Sequence, residues 1–273
     1  MELLKSLFLG ILEGITEWLP VSSTGHLLLC GKALRLEGSE GFREIFLYVI
    51  QLGAALAAAL LYRKRFSFFQ KKEPGAPFFS ALRKDAVCLW GKIALACVPG
   101  AAAALFLDKE AEKYFDSPAV IALALIFYGL VFLWIEPLTG KRKKKAASAP
   151  EIGWRTAFFI GLFQVLSIVP GTSRSGATIL GALILGAARP AAAEFSFLMA
   201  LPVMAGMSAI KIFQNGVAFS ASEWLLLCTG TLSAFLTSLF TIRFLIGFVK
   251  KHSFAAFGVY RILLGGAVLL FLA

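Results

Sequence analysis

The stretch Glu13-Gly-Ile-Thr-Glu17-Trp-Leu-Pro20-Val-Ser22-Ser23-Thr24-Gly25-His26 gathers two carboxylates, two serines and an imidazole around one proline, between apolar flanks. A second stretch, Pro170-Gly-Thr-Ser173-Arg174-Ser175-Gly176-Ala177-Thr178, places a guanidinium and further hydroxyls on a glycine-rich turn. Ionisable side chains are costly inside apolar segments and therefore point to function. Around them the chain is 59% hydrophobic, with 26 phenylalanines and only 16% charged residues. Mean hydropathy is +0.80. A soluble domain carries more charge, whereas a polytopic helical membrane protein needs about 20 mostly apolar residues per span. Cys30, Cys88, Cys97 and Cys228 lack metal-ligand spacing and read as small buried hydrophobes. Glu13 and Glu17 interrupt the first apolar region, which excludes a cleavable signal peptide reading.

The net charge of +11 does not mark a nucleic-acid binder. Its basic residues cluster at Arg63-Lys64-Arg65, Lys71-Lys72, Arg83-Lys84, Lys141 to Lys145, and Lys250-Lys251, always between apolar spans. That distribution places these segments in the cytoplasm and suits contacts with anionic membrane lipids. The acidic segment from Asp108 to Asp116 reads as an outer loop. Full spans are expected at about 43–62, 85–106, 118–136, 191–213, 223–247 and 254–273. Segments 4–35 and 154–188 are each helical on both sides of a Pro/Gly/Ser break. They read as re-entrant helix-turn-helix units, because broken backbone is tolerated at membrane depth where it lines a polar cavity.

The halves resemble each other at an offset of 151: Gly10 with Gly161, Glu13 with Gln164, Ser22 with Ser173, Gly25 with Gly176, and Phe46-Leu47 with Phe197-Leu198. Three spans separate the two breaks, so the second unit enters from the opposite side. The fold expected is a single all-α membrane domain over 1–273. It comprises six full transmembrane helices and two re-entrant units in an inverted-topology repeat, with halves of about 1–136 and 154–273 joined by a basic cytoplasmic loop at 137–153.

Glu13 and Glu17, four apart, share one helix face. They suit a shared proton or a divalent cation, with partnership to a buried arginine as the bland alternative. Ser22 or Ser23 caps the helix after Pro20, and exposed backbone N–H groups at such a start attract anions. His26 lies within reach as an acid or base, and a serine beside it suits nucleophilic attack on phosphorus. Spacing alone separates neither Ser22 from Ser23 nor Glu13 from Glu17. In the second stretch Thr172 or Ser173 caps, while Arg174 offers bidentate, permanently charged phosphate recognition. Ser22, Thr24, Ser173, Arg174, Ser175 and Thr178 thus form the expected phosphate-binding set. Gln51, Glu194 and Tyr260-Arg261 are weaker candidates for shaping the pocket or bridging helices, and Lys92 is expected to snorkel.

These motifs resemble those of the undecaprenyl-diphosphate phosphatase family, also called bacitracin resistance proteins. Glu13-x-x-x-Glu17, Leu19 to His26 and Pro170 to Thr178 carry the likeness, joined by Ile50-Gln-Leu-Gly53 and Glu194-Phe-Ser-Phe197. The resemblance implies hydrolysis of undecaprenyl diphosphate on the outer face of the bacterial cytoplasmic membrane, with Mg²⁺ or Ca²⁺ held by Glu13 and Glu17. It implies essential roles for Glu13, Glu17, Ser23, His26, Ser173, Arg174 and Thr178, with Glu17, Ser23, His26 and Arg174 as the catalytic set. The implied partners are a polyprenyl diphosphate, membrane lipids and room for a second copy in a homodimer. A lipid-phosphate flippase using the same anion site is the alternative.

Overall fold

A computed structural model describes residues 1–30, 34–69, 83–115, 117–140 and 144–272, leaving aside the side chains of 40 and 108–113. Among these residues ten α-helices follow one another: α1 Glu2–Thr16, α2 Ser23–Cys30, α3 Glu40–Leu61, α4 Lys84–Phe115, α5 Pro118–Gly140, α6 Trp154–Val165, α7 Arg174–Ile184, α8 Arg189–Asn215, α9 Ala221–Lys251 and α10 Ala255–Leu272. Among the described residues there is no strand, only an isolated bridge between Ala146 and Ala187. Among the described residues six helices are long and apolar enough to cross a bilayer: Gly41–Leu61, Lys84–Leu107, Pro118–Gly140, Arg189–Asn215, Ala221–Lys251 and Ala255–Leu272. The chain is a multi-pass membrane protein.

Hydropathy alone places the span boundaries well, but most helices run further than it predicts. The acidic segment read as a loop is helical through Phe115, with Asp116 outside the described residues. α9 starts two residues earlier and ends four later than expected, because Ser220 and Glu223 form a capping box and Lys250 and Lys251 complement the C-terminal dipole. Lys92 does not snorkel: it is buried and donates to the Pro150 carbonyl at 2.9 Å. The cysteines are free but none is fully buried, and Cys228 is exposed. Lys71-Lys72 and Lys141 to Lys143 lie outside the described residues.

The α1–α2 hairpin begins and finishes at one end of the bundle. There Lys5 pairs with Glu2 at 2.7 Å and donates to the Arg35 carbonyl at 3.1 Å. The α6–α7 hairpin begins and finishes at the other end. There Lys92 reaches Pro150, and Lys145 donates its backbone N–H to Gly186 at 2.9 Å. Each hairpin seats its first helix in a long helix of the other half, α1 against α9 and α6 against α4. Glycine permits both crossings. A Cβ on Gly10 would collide with the Gly230 carbonyl and Ser233, and one on Gly161 with the Ala96 carbonyl. α7 is almost wholly buried, from Ser175 through Leu183, in the main apolar core with α8 and α4.

Candidate active site

The two breaks carry the two non-glycine residues of positive φ among those described: Ser22 at 72° and Ser173 at 69°. This backbone is unfavourable for an L-residue, so surrounding contacts must hold it. Trp18, fully buried, packs edge-on against Phe197 with ring centroids 5.0 Å apart and fixes the first break. At the second break Ser173 caps α7, its hydroxyl accepting from Gly176 N–H at 3.2 Å.

The breaks meet. Arg174, the first residue of α7, donates to Glu17 Oε1 at 2.8 Å and to the Ser196 carbonyl at 3.2 Å. Ser175 Oγ donates toward the carbonyls of Glu17 and Leu19, at 3.1 and 3.3 Å. From α10, the fully buried Arg261 donates to Pro20 O at 3.2 Å, Gly171 O at 2.8 Å and Thr172 O at 2.9 Å. Pro20 and Gly171 are themselves 151 positions apart, so one guanidinium clasps the same carbonyl of each break. From sequence Arg261 is only a weaker candidate, because it stands alone in the last span outside both polar stretches. Only the tertiary fold, which brings α10 between the breaks, reveals its role.

The hydroxyls divide into two groups. Those of Ser22, Ser23 and Thr24 take no hydrogen-bond partner among the described residues. At the second break the hydroxyls of Ser173, Ser175 and Thr178 are occupied, while that of the fully buried Thr172 takes no partner among the described residues. Thr178, fully buried, bonds the Arg174 and Ser175 carbonyls at 2.9 and 3.2 Å and Ser196 Oγ at 2.7 Å. Ser173 Oγ also lies 3.2 Å from Ser175 Oγ. In this structure the hydroxyls of Ser175 and Thr178 hold the α7 start in place. Ser196 joins them; it lies in the stretch Glu194-Phe-Ser-Phe197, where the sequence singled out only Glu194 as a candidate. Glu194, by contrast, pairs with Arg65 at 2.8 Å and bridges elements away from this site.

His26 is bonded at both ring nitrogens: Nδ1 to the Ser22 carbonyl and Nε2 to the Tyr260 hydroxyl, each at 2.7 Å. Glu13 is buried, interacts electrostatically with Glu17 and Arg174, and keeps one carboxylate oxygen without a partner. No cluster of three His, Cys, Asp or Glu side chains occurs among the described residues. The donor set still fits a hard divalent ion of the Mg²⁺ type, which commonly takes one or two carboxylates and completes its shell with water and phosphate oxygens.

A family model described as bacitracin resistance protein BacA matches residues 6–267. The chain belongs to this family. An undecaprenyl-diphosphatase of Enterococcus faecalis is 48% identical over 100% of this chain and 98% of its own length. Relatives of the same name from Lachnoclostridium phytofermentans and Streptococcus agalactiae are each 47% identical, covering 98% and 99% of this chain and 96% of their own lengths. Both polar stretches fall inside the region the family model covers.

Proposed function

We propose that this protein hydrolyses undecaprenyl diphosphate to undecaprenyl phosphate and inorganic phosphate, recycling a lipid carrier of cell-wall synthesis. The observation that carries the reading is the meeting of Arg174 with Glu17 beside the unpartnered hydroxyls of the α2 start. Two hairpins that return to opposite ends of the bundle, with positive φ at equivalent serines, support an inverted repeat of re-entrant units. The basic ends of α3 and α9 support a site opening to the outer side of the cytoplasmic membrane.

In this reading the prenyl tail stays among the spans while the diphosphate enters between the two breaks. Arg174 has two nitrogens engaged by protein oxygens, and its remaining donors face developing charge on the transferring phosphoryl group. Backbone N–H groups at the α2 start add to this field. Ser23 Oγ attacks phosphorus, its proton passes to Glu17 or His26, and the lipid phosphate leaves; water then releases the phosphoryl group from the serine. Glu13 and Glu17 would hold Mg²⁺ or Ca²⁺, which when bound neutralises phosphoryl oxygens.

The test is phosphate release from a C55 or C15 prenyl diphosphate by detergent-purified protein, with and without a chelator, alongside Ser23→Ala. Metal-dependent release that vanishes in the variant is expected. Release that survives in Ser23→Ala assigns the attack to Ser22 or to water. No release from folded wild-type protein with any divalent metal transfers the site to carriage of a lipid phosphate, for which no nucleophile is needed.

A further inference from the structure

His26 offers an acid or base, yet its position depends on a residue that no motif contains. Ser22 O is a backbone carbonyl and only accepts, so His26 Nδ1 carries the hydrogen of that 2.7 Å bond. In the neutral ring Nε2 is then a bare lone pair, and the Tyr260 hydroxyl 2.7 Å away is its donor. The two rings lie nearly parallel, 13° apart with centroids separated by 5.6 Å. Tyr260 itself is 45% exposed, so burial does not fix it. Its backbone does. The next residue, Arg261, is locked onto three carbonyls of the two breaks. A turn earlier, Gly258 crosses Gly129 so closely that an added Cβ would lie 2.8 Å from the Gly129 carbonyl. The phenol therefore stands at a fixed place relative to both breaks. An aromatic side chain that merely anchors a helix at the lipid surface needs no such partner.

We propose that Tyr260 is a positioning residue for His26: the Ser22 carbonyl selects the tautomer, and Tyr260 holds the ring by donating to Nε2, a bond that opens when Nε2 takes up a proton. Consecutive residues of α10 then do paired work, Arg261 aligning the breaks and Tyr260 aligning the imidazole between them. This rests on the reading of His26 as a working part of the phosphatase site. Partners that orient a functional imidazole in metal sites are typically worth 10- to 100-fold, and a loss of that order in kcat is expected here.

The chain has two histidines, His26 and His252, so His252→Asn protein with isotope-labelled imidazole nitrogens gives NMR signals from His26 alone. In detergent, wild-type Tyr260 should show the neutral tautomer protonated at Nδ1. Tyr260→Phe should move the Nε2 resonance as its donor is lost, and lower kcat about 10- to 100-fold with KM near the wild-type value. A fluorinated tyrosine at position 260, a stronger donor, should move Nε2 in the opposite direction and retain turnover. A wild-type ring protonated at Nε2 overturns the proposal. So does an unmoved Nε2 resonance in Tyr260→Phe, or a moved resonance with unchanged kcat. If the wild type itself releases no phosphate, the phosphatase reading fails while the resonance arm still reports whether Tyr260 holds the ring.

Discussion

The breaks at 17–26 and 168–178 have the same backbone device and opposite chemistry. Each turns through a serine at positive φ, at 72° and 69°, into a short helix. In the first, the hydroxyls of Ser22, Ser23 and Thr24 have no partner among the described residues, and Glu13, a turn earlier, keeps an orphaned oxygen. In the second, Ser173, Ser175 and Thr178 are bonded to protein atoms and α7 is sunk in the core, although Gln164 Oε1 and Thr172 Oγ1 are orphaned there too. An anion site needs both kinds of element. Groups that must react are left unsatisfied, and a cation that must not move is fixed by neighbours already satisfied. Duplicated backbone geometry thus need not mean duplicated chemistry.

The contrast can be broken by substitution, and the largest effect belongs to Arg174. Arg174→Ala removes the charge that both breaks share and should lower phosphate release at least 10²- to 10³-fold. Glu17, only 11% exposed on its side chain, is left without its cation, so the melting temperature should also fall. Release within tenfold of wild type would place the phosphate elsewhere. Next comes Glu13→Gln, which gives the first break the residue found at the equivalent Gln164. Its divalent-metal titration should shift to about 10- to 100-fold higher concentration, whereas an unshifted titration would detach the metal from this carboxylate.

Thr178→Val is a milder test. Its hydroxyl is buried among Arg174, Ser175 and Ser196, so its loss should cost about 1–3 kcal/mol in thermal unfolding. Turnover should fall less than in Ser23→Ala. A loss as complete as that of Ser23→Ala, with stability intact, would return Thr178 to the phosphate. The smallest effect separates the two serines of positive φ. Ser22→Gly relieves a strained backbone with no bonded hydroxyl to lose and should stabilise by about 1 kcal/mol. Ser173→Gly relieves the same strain but gives up the α7 cap, so the two terms should nearly cancel.

Much of this was legible beforehand. The six spans follow from hydropathy and length, and the polar stretches announce themselves by their cost in an apolar chain. The offset pairing of Ser22 with Ser173 was visible as identity, though not as a shared dihedral angle. What could not be read was every contact between breaks. Tyr260 meets His26 across 234 positions, Arg261 meets Pro20 across 241, and Arg174 meets Glu17 across 157. Spacing on a helix reports neighbours three or four residues away and is silent beyond that. For the same reason the bonds of Ser175 to Glu17 and Leu19, and of Thr178 to Ser196, could not be read: those partners arrive from other elements.

The seating of α1 in α9 has a consequence for how the protein is made. Ser6 bonds the Leu226 carbonyl at 2.6 Å, across 220 positions, and Gly10 meets Gly230. At about 5–20 residues per second, the ribosome completes that seat roughly ten to forty seconds after α1 has emerged. Throughout that interval the first hairpin, with its buried carboxylate, has no resting place in the nascent chain. The amino-terminal part of the molecule is thus the first synthesised and among the last to be housed, and any message truncated before α9 yields a chain whose polar hairpin can never dock.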